Sequence, residues 1–170
     1  MLNALASCAV SSYLKLDGGR VGEGLNAFTG SSRRFQRTGA MPNGALVVDD
    51  YAHHPSEMRA TLAAAREMDF DRILCAFQPH TYTRTKALFP EFVEALKMCD
   101  QAVLAPIYAA REQNTVGIYS SDLADQVPGA VAFDTFEEIA DYLRREAGPN
   151  DLVLTMGAGN INQVGPMLIR

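Results

Sequence analysis

Asp49-Asp50-Tyr51-Ala52-His53-His54-Pro55 brings two acids and two imidazoles into one short stretch. Carboxylates accept hydrogen bonds from sugar hydroxyls or help position magnesium, and imidazoles donate, accept or carry a proton near neutral pH. The stretch follows the apolar run Ala45-Leu46-Val47-Val48 and precedes a helical pattern. It therefore lies where a buried strand ends and a helix begins, the edge at which open α/β sheets bind ligands. A second polar cluster, His80-Thr81-Tyr82-Thr83-Arg84, follows the next apolar run. Arg84 can present a planar fork to a carboxylate or phosphate, and His80 can donate to an anion or pack against its loop. A helix-flanking surface charge is the alternative for Arg84, and Lys86 is the solvated residue of the pair.

The same weighing applies to the other polar positions. Asp50 is the better ligand candidate of the two acids, against helix capping and solvation. His53 and His54 are adjacent and need not face the same space, so one can bind while the other packs. A metal centre would need a third ligand from elsewhere, such as His80, and no compact ligand spacing supports it. Arg33 and Arg34 can reach a phosphate across a domain boundary or serve as linker charges. Gly157-Ala158-Gly159-Asn160 lies between a strand and a helix, where Gly157 and Gly159 permit a tight turn and close backbone approach. It is not a complete dinucleotide fingerprint, and the chain has neither a phosphate-binding Gly-Lys-Ser/Thr loop nor a Gly-x-Ser-x-Gly elbow. Tyr51, Tyr82 and Tyr108 near these loops do not by themselves make a nucleic-acid stacking surface.

The elements that must hold these residues follow from hydrophobic periodicity. Leu2, Leu5, Ala9, Tyr13 and Leu16 mark a first helix that Asp17-Gly18-Gly19 ends. It starts without a cap, which suggests a cut through a larger protein. A second short helix is expected over 23–28, with Leu25 and Phe28 inward. Strands are expected at 35–38 and 45–48 around the turn Met41-Pro42-Asn43-Gly44. Further strands are expected at 73–77, 102–105, 130–133 and 152–155, with helices beginning at Pro55 and over 88–99 and 120–125. Met58, Leu62 and Ala65 form the buried side of the Pro55 helix. Thr135 and Glu138 form a capping box, and Phe136, Ile139, Leu143 and Ala147 the buried side of the helix it starts. Short apolar strands separated by amphipathic helices predict an α/β fold with a mainly parallel sheet covered on both faces. The loops after Val48, Phe77, Ala105 and Thr155 then share one carboxyl edge.

Composition narrows the setting. The 170 residues suffice for a full core, and a net charge of -5 argues against non-specific nucleic-acid or anionic-membrane binding. Nothing is apolar for long enough to cross a membrane. Cys8, Cys75 and Cys99 are odd in number and widely spaced, which predicts small buried hydrophobes in a reducing cytoplasm.

Five segments together resemble the Mur ligases of bacterial cell-wall synthesis. They are Leu2-Asn3-Ala4-Leu5-Ala6, Phe28-x-Gly30-x-x-Arg33-Arg34-Phe35-Gln36, Asp49 through Pro55, Phe77-Gln78-Pro79-His80-Thr81-Tyr82-Thr83-Arg84-Thr85 and Met156-Gly157-Ala158-Gly159-Asn160-Ile161. The Phe77-Gln78-Pro79-His80 and Asp-Asp-Tyr-x-His-His-Pro segments resemble the branch that adds L-alanine to UDP-N-acetylmuramate. The resemblance implies a Rossmann-like C-terminal domain over 35–170, preceded at 1–34 by the helical end of a central ATP-binding domain. An N-terminal domain for the UDP-sugar and the rest of the central domain would lie outside the chain, which alone is expected to be inactive. ATP with magnesium would activate a carboxylate as an acyl phosphate, and the amine of L-alanine would attack it.

By resemblance Asn3 approaches the adenine, Arg33 or Arg34 the nucleotide phosphates and Asp50 the ribose. Tyr51, His53, His80 and Arg84 map to the amino-acid side, with Arg84 on the carboxylate. Gly157, Gly159 and Asn160 would line the closing face. No residue here is assigned as a catalytic group or magnesium ligand, and no nucleic-acid or membrane partner is implied. The sequence departs from the family at Thr81, commonly arginine, at Ala52, often glycine, and at Asn160, often aspartate. A ligase that recycles muramyl tripeptide, or a standalone ligand-binding domain, are the alternatives.

Overall fold

The computed structural model describes residues 2–28 and 30–169, without the side chain of Leu2. The expectation that Leu2 joins an apolar face therefore lies outside the described residues. The chain forms two compact units, Met1–Ser32 and Arg33–Arg170.

The first unit is a pair of helices, α1 (Leu2–Tyr13) and α2 (Gly18–Ala27). The first ends at Tyr13, before the expected Asp17, with Lys15 turned to φ +54°; Asp17 starts the second, its Oδ1 accepting from the Arg20 N–H at 2.9 Å. That cap starts α2 at Gly18 rather than 23, a start that its glycines conceal from periodicity. Leu5, Tyr13, Leu16 and Phe28 are exposed, so the expected inward side of Phe28 is not found. Cys8 is exposed too, and only Cys75 is the fully buried thiol predicted for all three; Cys99 is half-buried.

In the second unit six strands form one sheet in the order β1-β2-β6-β3-β4-β5. These are β1 (Gln36–Ala40), β2 (Leu46–Asp50), β3 (Ile73–Phe77), β4 (Gln101–Leu104), β5 (Val131–Ala132) and β6 (Leu152–Met156). Only β1 runs antiparallel, against β2. Its turn is fixed by the Gly44 N–H donating to Met41 O at 2.9 Å and by Gly44 at φ +104°. Asn43 Nδ2 anchors that turn to the Ala147 carbonyl at 2.6 Å.

Period-two alternation sorts the strand side chains into two cores. Val48, Cys75, Phe77, Leu154 and Met156 face α3 (Pro55–Arg66), α5 (Phe89–Leu96) and α6 (Ser120–Ala124). Val47, Leu74, Ala76 and Val153 face α7 (Phe136–Glu146) and α8 (Val164–Leu168). The predicted doubly covered, mainly parallel sheet is thus borne out. Met58, Leu62 and Ala65 are buried on α3, as expected. The helix expected over 88–99 is shorter, and α4 (Tyr82–Ala87), a short helix that the sequence hid among its polar residues, precedes it.

The register levels the strand ends. Asp50 and Phe77 both pair with Met156, and Phe77 also pairs with Leu104. Four loops therefore leave one edge side by side. From β6 the chain passes through a 3-10 turn at Ile161–Gln163 into α8 on one face, while its neighbours β2 and β3 feed helices on the other. Such divergence opens a crevice at the carboxyl edge.

Candidate functional site

Asp49 and Asp50 do not leave the strand, as the sequence suggested; they end it, each only 6% exposed. Successive strand residues face opposite ways, so the acids serve different partners. Asp49 accepts from the Thr155 hydroxyl at 2.6 Å and from Arg33 Nε at 2.8 Å. Asp50 accepts from the backbone N–H groups of Phe35 and Ala52, both at 2.8 Å. Arg33 completes the knot: Nη1 donates to Gly159 O at 3.0 Å and Nη2 to Gly157 O at 2.6 Å. Its guanidinium also lies 4.9 Å from the Tyr51 ring centre, a cation–π contact. These bonds hold Arg33 and Phe35 at φ +57° and +47°, conformations an L residue rarely adopts. The sequence left Arg33 and Arg34 equivalent, and the structure separates them. All three nitrogens of Arg33 are committed within the fold, whereas Arg34 is exposed, 5.8 Å from the Tyr51 ring.

Gln78, buried at the end of β3, ties three loops together. Its Oε1 accepts from the N–H groups of Asn160 and Ile161 at 2.8 and 3.1 Å, and its Nε2 donates to Pro106 O at 3.3 Å. The glycines of the β6 loop are required by this closeness. A Cβ on Gly157, which sits at φ +146°, would come within 2.7 Å of Gln78 O. One on Gly159 would strike the Gln78 amide and come within 2.9 Å of Tyr108. Sequence reasoning placed the glycines but gave Gln78 no part, because an isolated amide carries no spacing signal.

The residues beyond this knot are differently served. His80 stacks on Tyr108, ring centres 5.4 Å apart, and lies 5.9 Å from His53. Thr81 sits at φ +67°, held by its N–H donating to Tyr108 O at 2.9 Å and by its carbonyl accepting from Thr85. Glu112 reaches across from the long β4–α6 connection to accept from the Thr83 N–H at 2.9 Å. Three atoms here are shut from water with no hydrogen-bond partner: His80 Nδ1, Arg84 Nη1 and Asn160 Oδ1. Burial, the Arg84 cation and His53 together push the His80 pKa below its ordinary value, favouring a neutral ring. Unpaired buried polar atoms cost free energy, and these three keep hydrogen-bonding capacity that the fold does not use. A guanidinium nitrogen lacking an acceptor fits a carboxylate.

His54 caps α3: its Nδ1 accepts from the Ser56 N–H at 3.3 Å, while Glu57 accepts from the His53 and His54 N–H groups. Of the adjacent histidines, His54 thus serves the helix and His53 faces the site. Asn3 belongs to the first unit, on α1, with its carbonyl accepting from the Ser7 hydroxyl at 3.0 Å.

The chain is similar to known proteins over most of its length. Residues 33–159 match the family "Mur ligase, glutamate ligase domain". The chain is 49% identical to a UDP-N-acetylmuramate--L-alanine ligase of Agathobacter rectalis over 99% of its own length and 37% of that protein's. It is 47% identical to the Clostridium tetani enzyme of the same name, covering all of the chain and 38% of that protein. The UDP-N-acetylmuramate-alanine ligase structure from Thermotoga maritima superimposes with a TM-score of 0.76 at 28% identity, over 98% of this chain and 36% of that one. The chain thus spans little more than a third of these relatives. With its strand order, its carboxyl-edge loops and this match over most of its length, the chain belongs to the Mur ligase family.

Proposed function

We propose that the full-length protein joins L-alanine to UDP-N-acetylmuramate with ATP, and that the domain over residues 35–170 closes over the amino acid. Residues 1–34 would be the end of the central ATP-binding domain, carrying Asn3 toward the adenine. The observation that carries this reading is the pair of unpartnered buried atoms Arg84 Nη1 and His80 Nδ1 beside His53. Arg84 takes the amino-acid carboxylate, His80 supplies a neutral hydrogen-bonding ring, and Tyr51 walls the pocket beside His53. The substrate amine then attacks an acyl phosphate, held in place by these contacts rather than by any covalent bond to the protein. Arg34, exposed and hydrogen-bonded to no group among the described residues, is the arginine offered to nucleotide phosphate, and Asp50 acts on the nucleotide side by fixing the linker backbone. Each carboxylate oxygen of the two β2 aspartates already accepts from a protein donor, and neither aspartate is assigned to magnesium. The reading goes with a cytoplasmic enzyme, where these substrates would be met; among the described residues no helix is long and apolar enough to cross a membrane.

The test is ligation by the full-length protein with UDP-N-acetylmuramate, ATP, magnesium and L-alanine, the amide being detected by mass. Product is expected. A folded, ATP-binding protein that makes none would overturn the reading, and product with muramyl tripeptide in place of L-alanine would reassign it to recycling. The 170-residue chain alone should make no amide.

A further inference from the structure

Nothing so far takes the proton that an amino acid must lose. At neutral pH the incoming nitrogen is an ammonium ion without a lone pair, so attack on an acyl phosphate needs a base. His53 and Glu57 are arranged as one. His53 Nδ1 lies 3.1 Å from the Tyr51 carbonyl. A carbonyl only accepts, so the proton must sit on Nδ1, and the neutral ring keeps its lone pair on Nε2. The Glu57 carboxylate stands 3.4 Å from the same Nδ1 and accepts from the His53 N–H at 3.1 Å. Among the described residues no group bonds His53 Nε2, and the ring stands between Tyr51 and His80, beside the unpartnered atoms of the site.

We propose that His53 Nε2 is the proton acceptor for the incoming amine, its tautomer held by the Tyr51 carbonyl, and that Glu57 is the positioning residue that supports the imidazolium. The inference rests on the ligase reading given above. The ammonium gives one proton to Nε2. The freed lone pair attacks the acyl-phosphate carbonyl carbon and forms the C–N bond. The nitrogen's next proton passes to water as the tetrahedral carbon collapses, and the C–O bond to phosphate breaks with its electron pair leaving on phosphate. The logic is that of a base oriented by a carboxylate on its far nitrogen.

The surroundings agree in charge. Burial works against the Glu57 carboxylate, yet the His53 N–H, the His53 ring, the His54 N–H and Arg34 together bring its pKa below the ordinary value, so it is charged at neutral pH. The cations that oppose an imidazolium on His53 are Arg33, stacked on Tyr51, Arg34 acting on Glu57, and Arg84 beyond the depressed His80. Glu57 is the carboxylate that offsets them.

The experiment is the pH profile of kcat/KM for L-alanine in the full-length protein, alongside nitrogen-15 imidazole spectra. Glu57→Gln keeps the shape and an acceptor for the backbone but loses the charge. It should move the acidic limb to lower pH by about one unit and lower the plateau, because the imidazolium loses its counter-ion. Glu57→Asp should return the limb part of the way. His53→Gln should lower kcat/KM by roughly 10²- to 10⁴-fold, with the remaining rate climbing with pH as free amine grows. A Glu57→Gln variant that is slower at every pH with its limb unmoved overturns the proposal, as does a wild-type spectrum showing the Nε2–H tautomer of His53. If the wild-type protein makes no amide, the ligase reading fails and takes the His53 step with it; the spectra then decide the Glu57–His53 pairing alone.

Discussion

The ends of β2 and β3 lie two strands apart on one edge and carry equally polar sequences, yet they are built on opposite principles. At β2 every oxygen of Asp49 and Asp50 and every nitrogen of Arg33 has a partner within the protein. Beyond β3, His80 and Arg84 each keep a buried nitrogen with no partner. The first arrangement commits its hydrogen bonds to the fold, and the second leaves them unmade, as the proposed role in binding requires. Charge density therefore does not distinguish a binding residue from a structural one. The satisfaction of each polar atom does.

Substitutions at the two ends should separate these roles. Asp50→Ala strands two backbone N–H groups in a buried setting and should cost about 3 kcal/mol, read by chemical denaturation. A loss below 1 kcal/mol would break the comparison, since the β2 end would not then be structural. Arg84→Ala should leave stability within about 0.5 kcal/mol, because the guanidinium has an unmet donor in the fold. In the full-length protein it should raise the KM for L-alanine about 30-fold, the worth of one charged hydrogen bond of roughly 2 kcal/mol. An unchanged dependence on L-alanine would remove Arg84 from the site.

Gly159→Ala tests the seam between the two ends. Its Cβ has no room between Gln78 and Tyr108, so about 1–2 kcal/mol should be lost, with faster hydrogen exchange at Asn160 and Ile161. Exchange at those amides as slow as in the wild type would show that the loop absorbs the methyl elsewhere.

The smallest effect is the pH dependence through His80. Its folded-state pKa is depressed, so the unfolded chain binds the extra proton first as pH falls. Stability should therefore be complete above the unfolded value near 6.5 and decline as pH falls through the folded one. Depressed carboxylates such as Glu57 and Asp100 act at lower pH. His80→Gln should flatten the upper part of the decline in a thermal-unfolding series; an unchanged slope would place the responsible group elsewhere.

Much of the fold was legible because the strands from β2 onward and α3, α5 and α7 announce themselves by period. The capping box at Thr135 and Glu138 forms as its spacing says, and Pro55 opens α3. What was hidden is what periodicity does not encode. Pairing with β6 extends β2 through two acids that composition assigns to a loop. The α4 helix rests on residues with no apolar stripe. In the site, the motif residues stood out by type, but the division of labour between Arg33 and Arg34, or between His53 and His54, depends on which atoms find partners. Gln78, Glu57 and Glu112 act through contacts with distant or backbone groups, and a lone amide or carboxylate in sequence does not declare them.

The central strand of the sheet is also the last of the six in the sequence. On the ribosome, β2 and β3 emerge with a gap between them that only residues 152–156 can fill. Until then each offers an open edge to other chains, and long-range closure of this kind is slow. Because Gly157 and Gly159 arrive with the same segment, the Arg33 knot cannot close before the sheet is sealed. Translation order thus makes completion of the sheet and closure of that knot a single event.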